Sequence, residues 1–194
     1  MDFPASVTVQ PSERVANWRP LVHWIMLIPH FVILALFHVV AWLFAVLTML
    51  VVLFTGKLPA GIASFQVMYI RYYPRVLSYV HIIHDQYPPF EFPSSEEDPG
   101  GSPVAVNVAV PSGNRNRLAA LFRPIYGLPQ IVFVTVYSYV VVAVVTIAYF
   151  IILFTGRWPA GMRSFVIGFY RAHARYLSFM YMLTDKYPPF SVAA

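Results

Sequence analysis

Two stretches of this chain carry no Asp, Glu, Lys or Arg at all: the one between Arg19 and Lys57, and the one between Arg123 and Arg157. Each exceeds the roughly 20 apolar residues needed to cross the core of a bilayer. A long helix is predicted over 31–54 and another over 131–154, each reaching about 36 Å at ~1.5 Å per residue. Short amphipathic lead-ins precede them over 14–28 and 115–128, and Pro29 and Pro129 are expected to break or kink the chain at the junction. Gly56 and Gly156 follow the last apolar residues, where a helix end favours a left-handed residue. After Pro59 and Gly61, and after Pro159 and Gly161, a second helix is predicted over 61–84 and over 161–184. Ahead of each lead-in, Val7-Thr8-Val9 and the stretch 104–110 alternate with a period of two, which predicts a short strand.

The elements come in pairs because the sequence repeats itself. Phe54-Thr-Gly-Lys-Leu-Pro-Ala-Gly61 recurs as Phe154-Thr-Gly-Arg-Trp-Pro-Ala-Gly161, Tyr87-Pro-Pro-Phe90 as Tyr187-Pro-Pro-Phe190, and Pro29 as Pro129. One ungapped offset of 100 relates all three, and over 22–90 it gives 22 identities in 69 positions, far above chance. The predicted organisation is a first repeat over 1–93, an exposed acidic Ser/Gly/Pro linker over 94–102, and a second repeat over 103–194. The fold class that follows is an all-α integral membrane protein built by tandem duplication.

The second helix of each repeat carries a polar stripe. Ser64, Arg71, Arg75, Ser78 and Asp85 recur as Ser164, Arg171, Arg175, Ser178 and Asp185. At about 100° per residue the first four lie within roughly 60° of the helical wheel, and Asp85 extends that edge. The rest of the helix surface is Phe, Tyr, Val, Ile, Met and Leu. An arginine keeps its proton in lipid and costs about 2.5–3.5 kcal/mol at the centre of a spanning helix. The stripe must therefore meet water, lipid phosphate or a neighbour's negative group. Two placements stay open: a helix lying in the headgroup plane, or a spanning helix with a polar cavity or partner. Lys57 and Arg157, in the turns, are further headgroup-contact candidates.

Composition agrees with a membrane protein. The apolar fraction is 59% and the charged fraction 11%, against about 45–50% and 25% in soluble domains. The first twenty residues lack a basic region, apolar core and cleavage site in series, so no cleavable signal is expected. There is no cysteine, which removes disulfides, thiolate metal sites and a cysteine nucleophile together. The net charge of +5 is spread over helix ends and single positions, without the basic, aromatic-interleaved patch of a nucleic-acid binder. If each repeat were a two-span hairpin, Arg14, Arg19, Arg115, Arg117, Arg123 and Lys186 would face Lys57, Arg157 and Arg163, putting both termini in the cytoplasm. With one span per repeat the two copies run in opposite directions and the charges nearly balance.

Candidate chemistry is sparse. His81 and His84 with Asp85 have the spacing to share a metal, and His30 or His38 a haem, but their counterparts are Tyr181, Thr184, Gln130 and Ser138, so no ligand set is duplicated. No metal and no cofactor is expected. Thr55-Gly56-Lys57 lacks the spacing of a phosphate loop and reads as a capped turn. Tyr-Pro-Pro-Phe reads as a rigid stop with aromatic anchors, or else as a docking motif. No Ser/His/Asp set, paired carboxylates or nucleotide loop is present, so enzyme activity is not expected.

The order of these motifs resembles a bacterial membrane family. An Arg-containing lead-in, Ile28-Pro29-His30 or Leu128-Pro129-Gln130, a long apolar helix, Phe54–Gly61 or Phe154–Gly161, an Arg-striped helix and Tyr87–Phe90 or Tyr187–Phe190 together are similar to the domain of unknown function 4389. The likeness covers nearly the whole chain, once per repeat. His23, where that family tends to have Arg, and Pro124 depart from it at the ends of the lead-ins. The resemblance implies a bacterial cytoplasmic membrane and no established activity, and the two apolar helices make a multi-pass arrangement the expectation. The function expected is a non-enzymatic accessory or scaffolding subunit of a larger membrane complex, with lipids and other integral membrane subunits as partners. The alternatives are a lipid-headgroup-binding organiser acting through the arginine stripes and a small transporter or channel component.

Overall fold

A computed structural model describes residues 3–192. In chain order it contains β1 (Ala5–Val9), α1 (Arg19–Met26), α2 (Ile28–Thr55), α3 (Ala60–Val80), β2 (Val104–Val108), α4 (Arg117–Tyr126), α5 (Leu128–Thr155) and α6 (Ala160–Met180). The fold is mostly helical but not all-α, because the two predicted strands find each other. β1 and β2 form one antiparallel two-stranded sheet centred on the pair Val7↔Val106.

The long helices begin three residues before the expected positions. Pro29 and Pro129 do not break them. Each sits in the first turn, where the absent N–H would have had no partner anyway. Gly56 and Gly156 end them in the left-handed conformation, at φ +72° and +65°. The second helices stop four residues early, at Val80 and Met180. There Ile83 and Leu183 donate to the Ser78 and Ser178 carbonyls, and Ile82 and Met182 to Tyr79 and Phe179, closing a Schellman-type end. Ile82 takes the left-handed position at φ 56° despite its branched side chain. It is held there by full burial and by the Trp158 indole donating to its carbonyl at 2.9 Å.

The two repeats exchange their beginnings. β2, which opens the second repeat, lies against α3 of the first, and β1 lies against α6 of the second. The connectors cross in the same way. The Val15 amide donates to the Gly156 carbonyl and Asn17 to Leu153, while the Arg115 amide donates to Gly56 and the Arg117 guanidinium to Thr55. Carbonyls left open at the C-terminus of each long helix are thus capped by the other repeat. Because Ser12 also bonds Ile83 and Trp158 bonds Ile82, the end of α5 lies beside the end of α3 and the start of α2. The repeats therefore run in opposite directions about an approximate twofold through the sheet. The count of six cations against three presupposed a shared direction and does not apply. One end of the molecule collects Arg14, Arg19, Arg157 and Arg163, the other Lys57, Arg115, Arg117, Arg123 and Lys186.

α3 and α6 form the centre, covered by the sheet on one face and flanked by α2 and α5. α2 buries a single stripe, His30, Leu34, Ala41, Thr48 and Val52, at near-heptad spacing, and α5 does the same through Gln130, Val134, Val141, Ala148 and Ile152. Their other faces expose Leu36, Trp42, Phe54, Val136, Phe150 and Phe154. At 28 residues each, both helices are long and apolar enough to cross a membrane. The ribbon is opposite in character. Val7, Val104, Val106 and Val108 point inward, and Ser6, Thr8 and Asn107 point out.

The crossing at Gly156 is testable. A Cβ there would stand 2.7 Å from Asn17 Oδ1 and 3.0 Å from the Val15 carbonyl, on a backbone that already favours glycine. Gly156→Ala is expected to cost about 1–3 kcal/mol of stability in detergent, more than Gly56→Ala, whose nearest neighbour is the flexible Arg117 side chain at 3.2 Å. Thermal unfolding of the two variants side by side checks the order.

Candidate functional site

The arginine stripe turns inward. Arg71 and Arg75, on the face of α3 that meets β2, are each 1% exposed. Arg71 donates through Nε to the Val106 carbonyl at 3.1 Å, through Nη1 to Pro93 at 2.7 Å, and through Nη2 to Ser95 at 2.7 Å and Glu96 at 3.3 Å. Arg75 donates through Nη2 to Asp98 Oδ1 at 2.7 Å. The other carboxylate oxygen, Oδ2, lies 3.2 Å from Arg71 Nε. Asp98 is itself fully engaged, accepting from the Gly100 and Val106 amides at 2.9 and 2.8 Å, with its side chain only 3% exposed.

Two guanidiniums, one carboxylate and a cluster of backbone carbonyls thus form a closed knot between α3, the 93–100 segment and β2. This corrects the expectation that 94–102 is simply an exposed linker. Glu96 and Glu97 are exposed, but the segment runs along β2, with the Val108 amide bonded to the Glu96 carbonyl and the Val110 amide to its side chain. It supplies the acid that the arginines need.

The second stripe is built from the other repeat's strand. Arg171 Nε donates to the Val7 carbonyl at 3.2 Å, and Arg175 Nη1 to Ser191 at 3.0 Å. Ser78 Oγ donates to the Arg75 carbonyl and lies 2.9 Å from His84 Nε2, and Ser178 Oγ donates to Ala174. Ser64 is half-buried and Ser164 exposed, so the serines near the helix starts stand apart from the knot. Lys57 and Arg157 are exposed at opposite ends of the molecule, in shallow depressions shared with Arg115 and with Arg14, Glu13 and Trp158. In this geometry Arg71 and Arg75 present no donor face to an outside phosphate: this chain's own oxygens take every nitrogen of Arg71 and Nε and Nη2 of Arg75, and Arg75 Nη1 is buried.

The histidines go to separate neighbours. His81 Nδ1 meets the Tyr170 hydroxyl at 2.7 Å, His84 meets Ser78, and Asp85 accepts from Ser12 Oγ at 2.9 Å, so the proposed trio does not converge. His30 is buried, stacked on Phe90 at 4.1 Å and bonded to the Tyr72 hydroxyl. This stacking gives the Tyr-Pro-Pro-Phe motif of the first repeat an internal role, holding the lead-in junction.

Sequence reasoning missed three features. Asp98 was hidden by its polar, proline-containing surroundings. The cross-repeat caps Arg115, Arg117 and Asn17 left no local signal. The pair Arg123–Asp185, at 2.5 Å, had one: His23 replaces Arg123 at the equivalent position, and in that repeat Asp85 turns to Ser12. Arg123 also donates to the Phe179 and Thr184 carbonyls and rests over the Phe179 ring. Despite Pro124, α4 forms, with Asn116 capping its start through a 3.0 Å bond from Ala119.

The molecule is therefore a tandem helical duplication whose halves run in opposite directions and share one strand ribbon, locked by buried arginines. The chain belongs to the family described as "Domain of unknown function (DUF4389)", which it matches over residues 17–91 and again over 117–191. No curated protein and no solved structure matches it.

Two outcomes test this core, the first at the knot and the second at His84 beside Ser78. Asp98→Asn leaves two buried guanidiniums without their counter-charge and is expected to lower stability by about 3–5 kcal/mol, read as a fall in the thermal midpoint of the purified protein. Burial pushes the His84 imidazole down to about 4, below its ordinary 6.5. His84 therefore contributes stability in its neutral form above pH 6.5, and that contribution is lost as the pH falls towards 4, by at most about 1.4 kcal/mol per unit. His84→Thr, which copies Thr184, should flatten this limb of a stability–pH curve. An unchanged slope would show that His84 is not the group responsible.

Proposed function

We propose that this chain is a non-enzymatic integral membrane protein of the bacterial cytoplasmic membrane that serves as an accessory or scaffolding subunit of a larger membrane assembly. The observation that carries this reading is the contrast between its surfaces. α2 and α5 offer lipid-compatible sides about 42 Å long, flanked at both ends by cations and at one end by Trp18, Trp24 and Trp158. That length matches a bilayer with its headgroup layers, about 40–45 Å. Halfway between those ends lies the ribbon, with Ser6, Thr8, Asn107, Glu96 and Glu97 outward. Such polar groups do not face acyl chains. A subunit that spans with this flank at mid-depth needs a neighbour or a water-lined space against it, which is the position of a component within an assembly.

A second reading is supported by the same layering. A slab apolar on one side and polar on the other can also lie in one leaflet, ribbon towards water, as a membrane organiser. The two are separated by labelling, which a cysteine-free chain makes clean. With Lys57→Cys and Arg157→Cys introduced singly, spanning predicts that an impermeant maleimide reaches the two sites from opposite sides of the membrane. The flat arrangement predicts the same side for both. For the assembly itself, tagged protein extracted in mild detergent should carry partner subunits at fixed stoichiometry. A lone monomer in every mild detergent would overturn the scaffolding role.

A further inference from the structure

Beside the first repeat's long helix, between α2, α3 and α6 and closed at one end by α4, lies a cavity of about 460 Å³ that the structural role does not use. Its volume falls in the range of small-molecule sites, roughly 300–1,000 Å³. One wall is a run of four rings. His38 Nδ1 lies 2.9 Å from the Tyr69 hydroxyl, Tyr69 and Tyr73 have centroids 6.2 Å apart, and Tyr73 stacks on His173 at 4.3 Å. Among the described residues His38 Nε2 and both nitrogens of His173 have no hydrogen-bond partner, and both rings line the cavity. Tyr176 and Tyr181 close the far side, and the mouth opens beside Trp42, which is 62% exposed on the apolar outer surface of α2.

The chemistry narrows the ligand. Aromatic walls of tilted rings, 54° between His38 and Tyr69 and 55° between Tyr69 and Tyr73, favour a flat ring held edge-on or stacked. Imidazole nitrogens and tyrosine hydroxyls placed among apolar groups serve as donors or acceptors to oxygen atoms on that ring. A free anionic headgroup fits poorly, because the cavity's guanidinium, Arg123, is already paired with Asp185 and bonded to two carbonyls. The mouth on an apolar face suits a molecule that arrives from hydrocarbon. The duplication has also diverged here. His38, Trp42, Met49 and Tyr69 correspond to Ser138, Val142, Tyr149 and Phe169, and Tyr149 turns its hydroxyl to the Val80 carbonyl. The ligand-like features thus belong to one side of an otherwise twofold molecule.

The geometry points to a binding site for a neutral, ring-headed isoprenoid or alkyl lipid bearing ring carbonyls or hydroxyls, of the quinone–quinol class, held by His38 and His173 on the aromatic wall. The site requires no partner subunit and stands apart from the scaffolding reading, so either can fail alone.

The test uses the full chain in detergent, titrated with a decyl-substituted benzoquinone while tryptophan fluorescence is followed. Saturable quenching is expected, and Trp42→Phe should remove the larger part of the saturable signal. His38→Leu and His173→Phe should each weaken binding roughly five- to tenfold, as expected for one lost hydrogen bond, while His38→Gln retains most of it. Thermal midpoints of the variants confirm folding, and the His38→Leu and His38→Gln comparison stands if His173→Phe does not fold. Decylbenzene, with ring and tail but no carbonyls, should bind at least tenfold more weakly. Quenching that does not saturate, equal binding of decylbenzene, displacement of the quinone by dodecyl phosphate, or quenching unchanged by both histidine substitutions would each overturn the assignment.

Discussion

A guanidinium cannot be made neutral by burial, so a chain that places arginine on the inner face of a helix is obliged to bring oxygen to it. In this protein Arg71 and Arg75 collect the carbonyls of Pro93, Ser95, Glu96, Val104 and Val106 and the carboxylate of Asp98. Much of the remaining architecture serves that requirement. The 93–100 segment folds back over α3 instead of linking two domains loosely, β2 is drawn onto the first repeat, and β1, its pairing partner, is drawn onto Arg171 of the second. The ribbon is thereby the shared seam of the two repeats, and the charged pairs lie beneath it, away from solvent.

The parts that were legible in the sequence are those governed by local or periodic signals. The helices, their glycine ends and the duplication follow from composition runs and from one constant offset. The stripe was legible as a demand: Ser64, Arg71, Arg75 and Ser78 on one edge had to meet something polar. What met them was not legible, since Asp98 lies in a stretch whose Ser, Glu, Pro and Gly content is that of any exposed turn, and its burial depends on a fold-back of some twenty-five residues. The place of Pro29 and Pro129 is hidden for a related reason. Proline breaks a helix interior but suits its first turn, and which of the two applies is set by where Leu27 and Gly127 bend the chain. The exchange of strands and caps between repeats has no local signature at all, because the sequence around each donor does not specify which repeat's carbonyls it reaches.

The asymmetry between the repeats carries information that their identity does not. Identities gather where the backbone must turn or a charge must be matched, at the Phe-Thr-Gly turn, the arginines and Tyr-Pro-Pro-Phe. Differences gather where side chains face the groove between α2 and α6. There the first repeat supplies His38, Trp42 and Tyr69 and the second supplies His173, so that two copies of one scaffold give a single unlike pair of walls. A duplicated frame with one differentiated interior is a common way for a symmetric fold to acquire one specific place.

Because Gly56 is capped by Arg115 and Thr55 by Arg117, the first half of the chain cannot finish its own helix end while it is being made. Some sixty residues must still emerge before those carbonyls find their donors, and β2, which emerges within that interval, must fold back before Val106 reaches Arg71. During synthesis the early half therefore exists with open backbone groups and uncovered cations, and its maturation is timed by the arrival of the late half. Biogenesis of such a protein is a two-part closure, in which the early half is completed only once the late half has emerged.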